Sequence, residues 1–156
     1  MSDLSRRLVA EFLGAALLLF IIVGSGIAAE RLSTDGTIEL LAHAVAVGAG
    51  LAALIAFLAP VSGAHFNPSV TIGFWLTKSM SLLVSIAHVA AQILGAVTGA
   101  VVANATFGEP AAISVTTRGG VDVLVSEFIV TFVLVLLILG LVRSARSSAV
   151  APAVGA

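Results

Sequence analysis

The sequence predicts an all-α membrane protein with four transmembrane helices and one re-entrant half-helix, arranged as an incomplete inverted repeat. Three observations carry that expectation. The 156 residues are 60% hydrophobic and 10% charged, with a mean hydropathy of +1.21, whereas a globular domain is about half apolar and a quarter charged. Four apolar runs are each long enough to cross a hydrocarbon core about 30 Å thick, which takes about 20 helical residues. A fifth and shorter run opens on the breaker-rich string SGAHFNPSVTIGFW at 62–75.

The spans are expected at Leu8–Ala29, Ile38–Ala59, Leu82–Ala105 and Val121–Val142. Arg6 and Arg7 precede the first, but its apolar length exceeds a signal-peptide core, so it reads as a retained helix. The polar turn ERLSTDGT separates the first two spans, and TFGEPAAISVTTRGG separates the last two. Arg6, Arg7, Lys78, Arg143 and Arg146 fall on one side of the four spans; Arg31 and Arg118 fall on the other. The positive-inside rule then places both termini in the cytoplasm. The localisation expected is multi-pass, in a bacterial-type inner or plasma membrane.

Other classes fall away on composition. A net charge of −1 gives no electrostatic footprint for nucleic acid. The absence of cysteine removes disulfide, zinc-thiolate and redox-thiol readings. No nucleophile and base converge, no metal set suggests itself and no phosphate loop is present, so the chain reads as a non-enzyme without a cofactor.

The segment from Pro60 to Thr77 has a cytoplasmic helix end on each side, so it must leave and return by the same face. Asn67 is a favoured N-cap, and Pro68 suits the first helical position, where its missing N–H costs nothing. From Pro68 to Thr77 a helix rising 1.5 Å per residue reaches roughly 15 Å, about half the core. The chain is therefore expected to enter as irregular loop, turn near the midplane and return as a half-helix. Irregular backbone at that depth survives only where protein buries it or water wets it. A half-helix N-terminus carries partial positive charge and free N–H groups, a device for binding and filtering solutes. Asn67 is expected to offer its amide to a passing oxygen while the dipole opposes cations and protons.

An internal repeat supports the same architecture. VAEFLGAALLL at 9–19 and VSEFIVTFVLV at 125–135 align without a gap, and each sets a glutamate, Glu11 or Glu127, near the start of a span. A membrane-embedded carboxylate marks function or a buried structural hydrogen bond; the reading favoured is that each accepts N–H groups of a re-entrant loop, ahead of a proton relay. The two copies begin on opposite faces, so the repeat is inverted, as in transport proteins. The chain then reads as a single membrane domain over 1–156, with the first repeat at 1–105, its half-helix at 67–77, and the start of the second at 121–156. His88 and Gln92, four apart, share a helix face; Gln92 is placed to bond the loop backbone, His88 reads as a packed polar residue, and His43 is ambiguous. Gly95 and Gly99 form a GxxxG that lets another helix approach closely.

AEFLG at 10–14, SGAHFNPSVT at 62–71, AAQILG at 90–95 and SEF at 126–128 together resemble the major intrinsic protein family, the aquaporins and aquaglyceroporins, in order and spacing. The resemblance implies an aquaporin-like bundle of six tilted helices with two half-helices meeting at the midplane, assembled as tetramers. Asn67, Pro68 and Ser69 match the first Asn-Pro-Ala signature, with serine in place of alanine. Gly63, Ala64 and His65 match the loop whose carbonyls line the cytoplasmic half of the pore. Val47 matches a second-helix position of the outer constriction, where strict water channels have an aromatic. A valine implies a wider filter, closer to channels passing glycerol or neutral metalloid hydroxides such as arsenite. Trp75 reads as packing.

One departure is large. The repeat offset carries a second Asn-Pro past Ala156, and the sixth helix, second half-helix and filter arginine have no counterpart among these residues. The chain therefore reads as truncated after the fourth transmembrane helix. The function expected from the resemblance is a passive channel for water or small neutral solutes, lodged in the lipid bilayer as a homo-oligomer. The second reading is a non-conducting or partner-dependent fragment; a membrane adaptor unrelated to channels is disfavoured by Asn67 and Pro68.

Overall fold

A computed structural model describes residues 2–110, 112 and 119–156. Arg118, counted above on the outer side, lies outside the described residues. Helix α1 (Asp3–Leu32) begins a turn ahead of the apolar run because Ser2 caps it, its Oγ accepting the Ser5 N–H at 3.2 Å. Helix α2 (Gly36–Ser62) is capped by Asp35, whose Oδ1 accepts the N–H of Thr37 at 2.8 Å and of Ile38 at 3.4 Å. Those backbone bonds, Thr37 first, hold the Asp35 carboxyl below its ordinary value of 3.8.

The sequence ends the second span at Ala59 and starts irregular chain at Pro60, but α2 runs through Pro60 to Ser62. A proline this close to the helix end removes one N–H bond and leaves the last turn otherwise intact. The stop comes at Gly63, in the left-handed region with φ +94°, where its N–H closes onto the Ala59 carbonyl at 3.0 Å. The irregular stretch is thereby shortened to Gly63–Asn67.

Helix α3 (Pro68–Leu76) is the short element, followed by α4 (Leu82–Thr106) and α5 (Val121–Arg143). A 3-10 turn at Ser147–Ala149 leads into α6 (Val150–Gly155). Helices α1, α2, α4 and α5 are each long and apolar enough to cross a membrane, with mean hydropathies from 1.8 to 2.7.

Helix α1 packs against both α2 and α4. The Gly95–Gly99 stripe of α4 meets the backbone carbonyls of Phe12 and Ala16, so the partner of the GxxxG is α1. A Cβ at either glycine would overlap those carbonyls. Helix α3 touches α4 and α5, and α6 lies on α2. The buried core gathers around the irregular stretch: Leu54, Ile55 and Leu58 from α2, Phe66 and Val70 beside Asn67, and Ile138 from α5. Elsewhere large apolar side chains such as Phe57, Leu83 and Phe128 point outward, as hydrocarbon-facing surface requires. At the far end of α1, Arg31 Nη2 donates to the Phe107 carbonyl at 2.8 Å and to Glu109 Oε1 at 2.6 Å, tying α1 to the end of α4. Exposed as it is, that ion pair adds only about 0–1 kcal/mol.

Candidate functional site

The chain between α2 and α3 is strained. Ala64 and Phe66 join Gly63 at positive φ, +51° and +50°, which costs a non-glycine residue roughly 1–2 kcal/mol each. What holds them is a side chain from α1. Glu11 is fully buried. Its Oε1 accepts the Ser62 hydroxyl at 2.6 Å and the His65 N–H at 3.1 Å; its Oε2 accepts the Phe66 N–H at 2.9 Å and the Gln92 amide at 2.7 Å. Ser62 Oγ in turn accepts the Ala64 N–H at 3.0 Å. Four donors converge on two oxygens, which is what a carboxylate accepts. The ring of Phe66 lies over Gly14 of α1 with no room for a Cβ between them.

With the N–H groups of Ala64, His65 and Phe66 turned toward Glu11 and Ser62, the carbonyls are left over. Those of Gly63, Ala64 and His65 accept no hydrogen bond from a described residue. The same residues, with Phe66 and Asn67, line a cavity of about 280 Å³. Its other walls are mainly apolar: Leu18 of α1, Leu51, Ile55 and Ala59 of α2, Phe74 of α3, and Leu134 and Ile138 of α5. Asn67 caps α3, its Oδ1 accepting the Ser69 N–H at 2.8 Å, with Pro68 in the first turn. That bond fixes the amide and leaves Nδ2 without a partner among the described residues.

Several residues singled out in the sequence sit elsewhere. Ser69 lines a different groove, between α3 and α5, together with Glu127 and Phe128. Glu127 does not hold this loop as Glu11 does: it is exposed, and no described hydrogen bond reaches it. The loop's N–H groups are already consumed by Glu11 and Ser62. Val47 is half-buried on α2, a turn before Leu51, and does not line the cavity. Gln92 was expected to bond the loop backbone; it bonds Glu11 and, at 2.9 Å, Thr71 Oγ1, because the carboxylate stands between it and the backbone. His88 is buried, its Nδ1 donating to the Val84 carbonyl at 2.9 Å. Trp75, read as packing, is 38% exposed. His43 pairs with Ser25 Oγ at 2.8 Å.

The sequence reading missed Gly14, Ser62 and Thr71, all drawn into the network by contacts remote in sequence. It also missed Leu51, Ile55 and Ala59, whose spacing of four, running down to Gly63, was a usable signal. Among the described residues no three His, Cys, Asp or Glu side chains gather as metal ligands.

The family model described as "Major intrinsic protein" matches residues 1–155. The aquaglyceroporin AqpS of Rhizobium meliloti (strain 1021) is 41% identical over 147 residues, covering 94% of this chain and 63% of that protein. Aquaporin AqpM of Methanothermobacter marburgensis is 30% identical over 174 residues, covering 94% of this chain and 69% of its own length. The lens fiber major intrinsic protein of Canis lupus familiaris is 40% identical over 97 residues, 62% of this chain and 35% of that protein. The chain thus spans less than two thirds of the length of AqpS and about a third of the lens protein. Four apolar helices, a short helix capped by Asn-Pro and a match along almost the whole sequence lead to one conclusion: this integral, multi-pass membrane chain belongs to the major intrinsic protein family.

Proposed function

We propose that this chain provides a passive transmembrane channel for water or small neutral solutes, with the path running through the cavity beside Gly63–Asn67. One observation carries the reading. The strained loop spends its N–H groups on Glu11 and Ser62 and leaves the Gly63, Ala64 and His65 carbonyls unpaired next to an open space. Unpaired carbonyls in a membrane need water or a solute to satisfy them. A neutral solute would pass from these acceptors to the Asn67 Nδ2 donor, while the α3 N-terminus opposes cations. The name of AqpS favours a pore wide enough for glycerol. In this reading the segment expected at Pro60–Thr77, now Gly63–Leu76 with α2 extended to Ser62, is re-entrant, both termini face the cytoplasm of a bacterial-type cell, 1–105 and 121–156 belong to successive inverted repeats, and the channel assembles as a tetramer.

A second reading, a unit that conducts only with a partner, is favoured by the open groove between α3 and α5, where Leu124, Phe128 and Phe132 are exposed. Stopped-flow light scattering on proteoliposomes separates the two. Water and glycerol flux above that of empty liposomes, lost in Asn67→Asp, supports the channel. Correctly inserted protein with no flux above background refutes conduction by this chain alone and leaves the partner-dependent unit.

A further inference from the structure

We propose that Gln92 and Thr71 fix the tautomer of His65, so that its Nε2–H faces the cavity as a permanent donor. The direction of each hydrogen bond follows from the one before it. A carboxylate only accepts, so Gln92 must turn its Nε2 toward Glu11, at 2.7 Å. The second hydrogen of that nitrogen goes to Thr71 Oγ1, at 2.9 Å. Thr71 is fully buried. Its oxygen already accepts from Gln92, and the remaining partner within reach of its hydroxyl hydrogen is His65 Nδ1, at 3.1 Å. A nitrogen that accepts carries no proton, so neutral His65 carries it on Nε2. The reverse assignment would bring two donors onto Thr71 and leave its hydroxyl hydrogen unpaired in a sealed site, which buried polar groups avoid.

The protonated nitrogen is also the accessible one. Among the described residues the sealed side-chain polar atoms without a partner are His88 Nε2 and Gln92 Oε1. His65 Nε2 has no protein partner either and is not sealed, and His65 is one of the residues that line the cavity. Phe74 stacks on the ring, centroids 4.4 Å apart, and holds its plane. The tautomer sets the sign of that wall. An Nε2–H offers a donor to the oxygen of water or a polyol and turns cations away; a bare Nε2 would offer a lone pair to a cation. Its use in selecting solutes rests on the channel reading, whereas the tautomer itself does not. Thr71 and Gln92 are positioning residues in this scheme, acting through His65.

The test is ¹⁵N solid-state NMR on the histidine-labelled chain in lipid bilayers at neutral pH, with His65 assigned through backbone correlations. The expected spectrum has a pyrrole-type Nε2 and an imine-type Nδ1. Thr71→Val should shift His65 to a mixture of tautomers or to Nδ1–H, and Thr71→Ser should restore the original pattern. A pyrrole-type Nδ1 or a doubly protonated ring in the unsubstituted chain would overturn the proposal. An unshifted spectrum in Thr71→Val would overturn the part played by Thr71. The first arm needs no substitution, so it decides even if a variant does not fold. It is read without any flux, so loss of the channel reading and loss of this one are separate results.

Discussion

Replacing Glu11 by glutamine keeps the shape of the side chain and removes part of its accepting capacity. Whichever way the new amide turns, its NH₂ confronts a backbone donor. It meets the His65 N–H if it takes the place of Oε1, and the Phe66 N–H if it takes that of Oε2. A stranded buried N–H costs about 1–3 kcal/mol, and the surviving bonds lose the charge that makes each worth about 1.5–3 kcal/mol, a combined loss of roughly 3–5 kcal/mol. Against this stands the strain at Ala64 and Phe66, together about 2–4 kcal/mol, which those bonds restrain. The loss matches or exceeds the strain, so the loop should relax out of the left-handed region. At about 1.4 kcal/mol per decade, amide hydrogen exchange at Ala64, His65 and Phe66 should accelerate by roughly two to three and a half decades, with the α4 interior unchanged. Exchange at those three amides equal to the unsubstituted chain would refute the reasoning. The loop would then be held by Phe66 packing on α1 and not by the carboxylate.

Two further outcomes follow from other parts of the fold. Gly99→Ala drives a Cβ into the Ala16 carbonyl; overpacking of this kind costs about 1–3 kcal/mol, so the melting temperature should fall and spin labels on α1 and α4 should report a wider separation, and an unchanged melt counts against that close approach. Asp35 gains its Thr37 and Ile38 bonds only on folding and titrates below its ordinary 3.8. Its contribution is therefore full above that ordinary value and is lost as pH falls through the lower folded value. The melting advantage of the unsubstituted chain over Asp35→Ala should vanish in that acid window, and an advantage that persists there rules the cap out as its source.

What was legible in the sequence was local. Helix length, the Asn67–Pro68 start and the cost of a carboxylate in a span all act within a few residues, and they located the four long helices, α3 and Glu11. Contacts made across the bundle were not legible. Thr71 reads as an ordinary polar residue inside a helix until folding sets Gln92 beside it. Gly14 reads as one small residue among many until Phe66 lies over it. Glu11 and Glu127 occupy matching positions of the aligned strings, yet one accepts four hydrogen bonds and the other is exposed. Their chemistry is set by which backbone N–H groups lie opposite, and no repeat in the sequence records that. Pro60 erred in the other direction: as a breaker it suggested loop, but near a helix end its one missing bond was outweighed by the glycine cap at Gly63.

The most direct test of an aqueous path beside Gly63–Asn67 uses the absence of native cysteine. Ala59 lines the cavity, while Phe57, two residues away on the same helix and at nearly the same depth, points outward. Single-cysteine variants Ala59→Cys and Phe57→Cys would be inserted in liposomes and exposed to a water-soluble, membrane-impermeant thiol reagent. The expected result is rapid modification at Ala59→Cys and little at Phe57→Cys, since hydrocarbon excludes the reagent. Equal rates at the two positions, or faster reaction at Phe57→Cys, would contradict a water-filled path along this face.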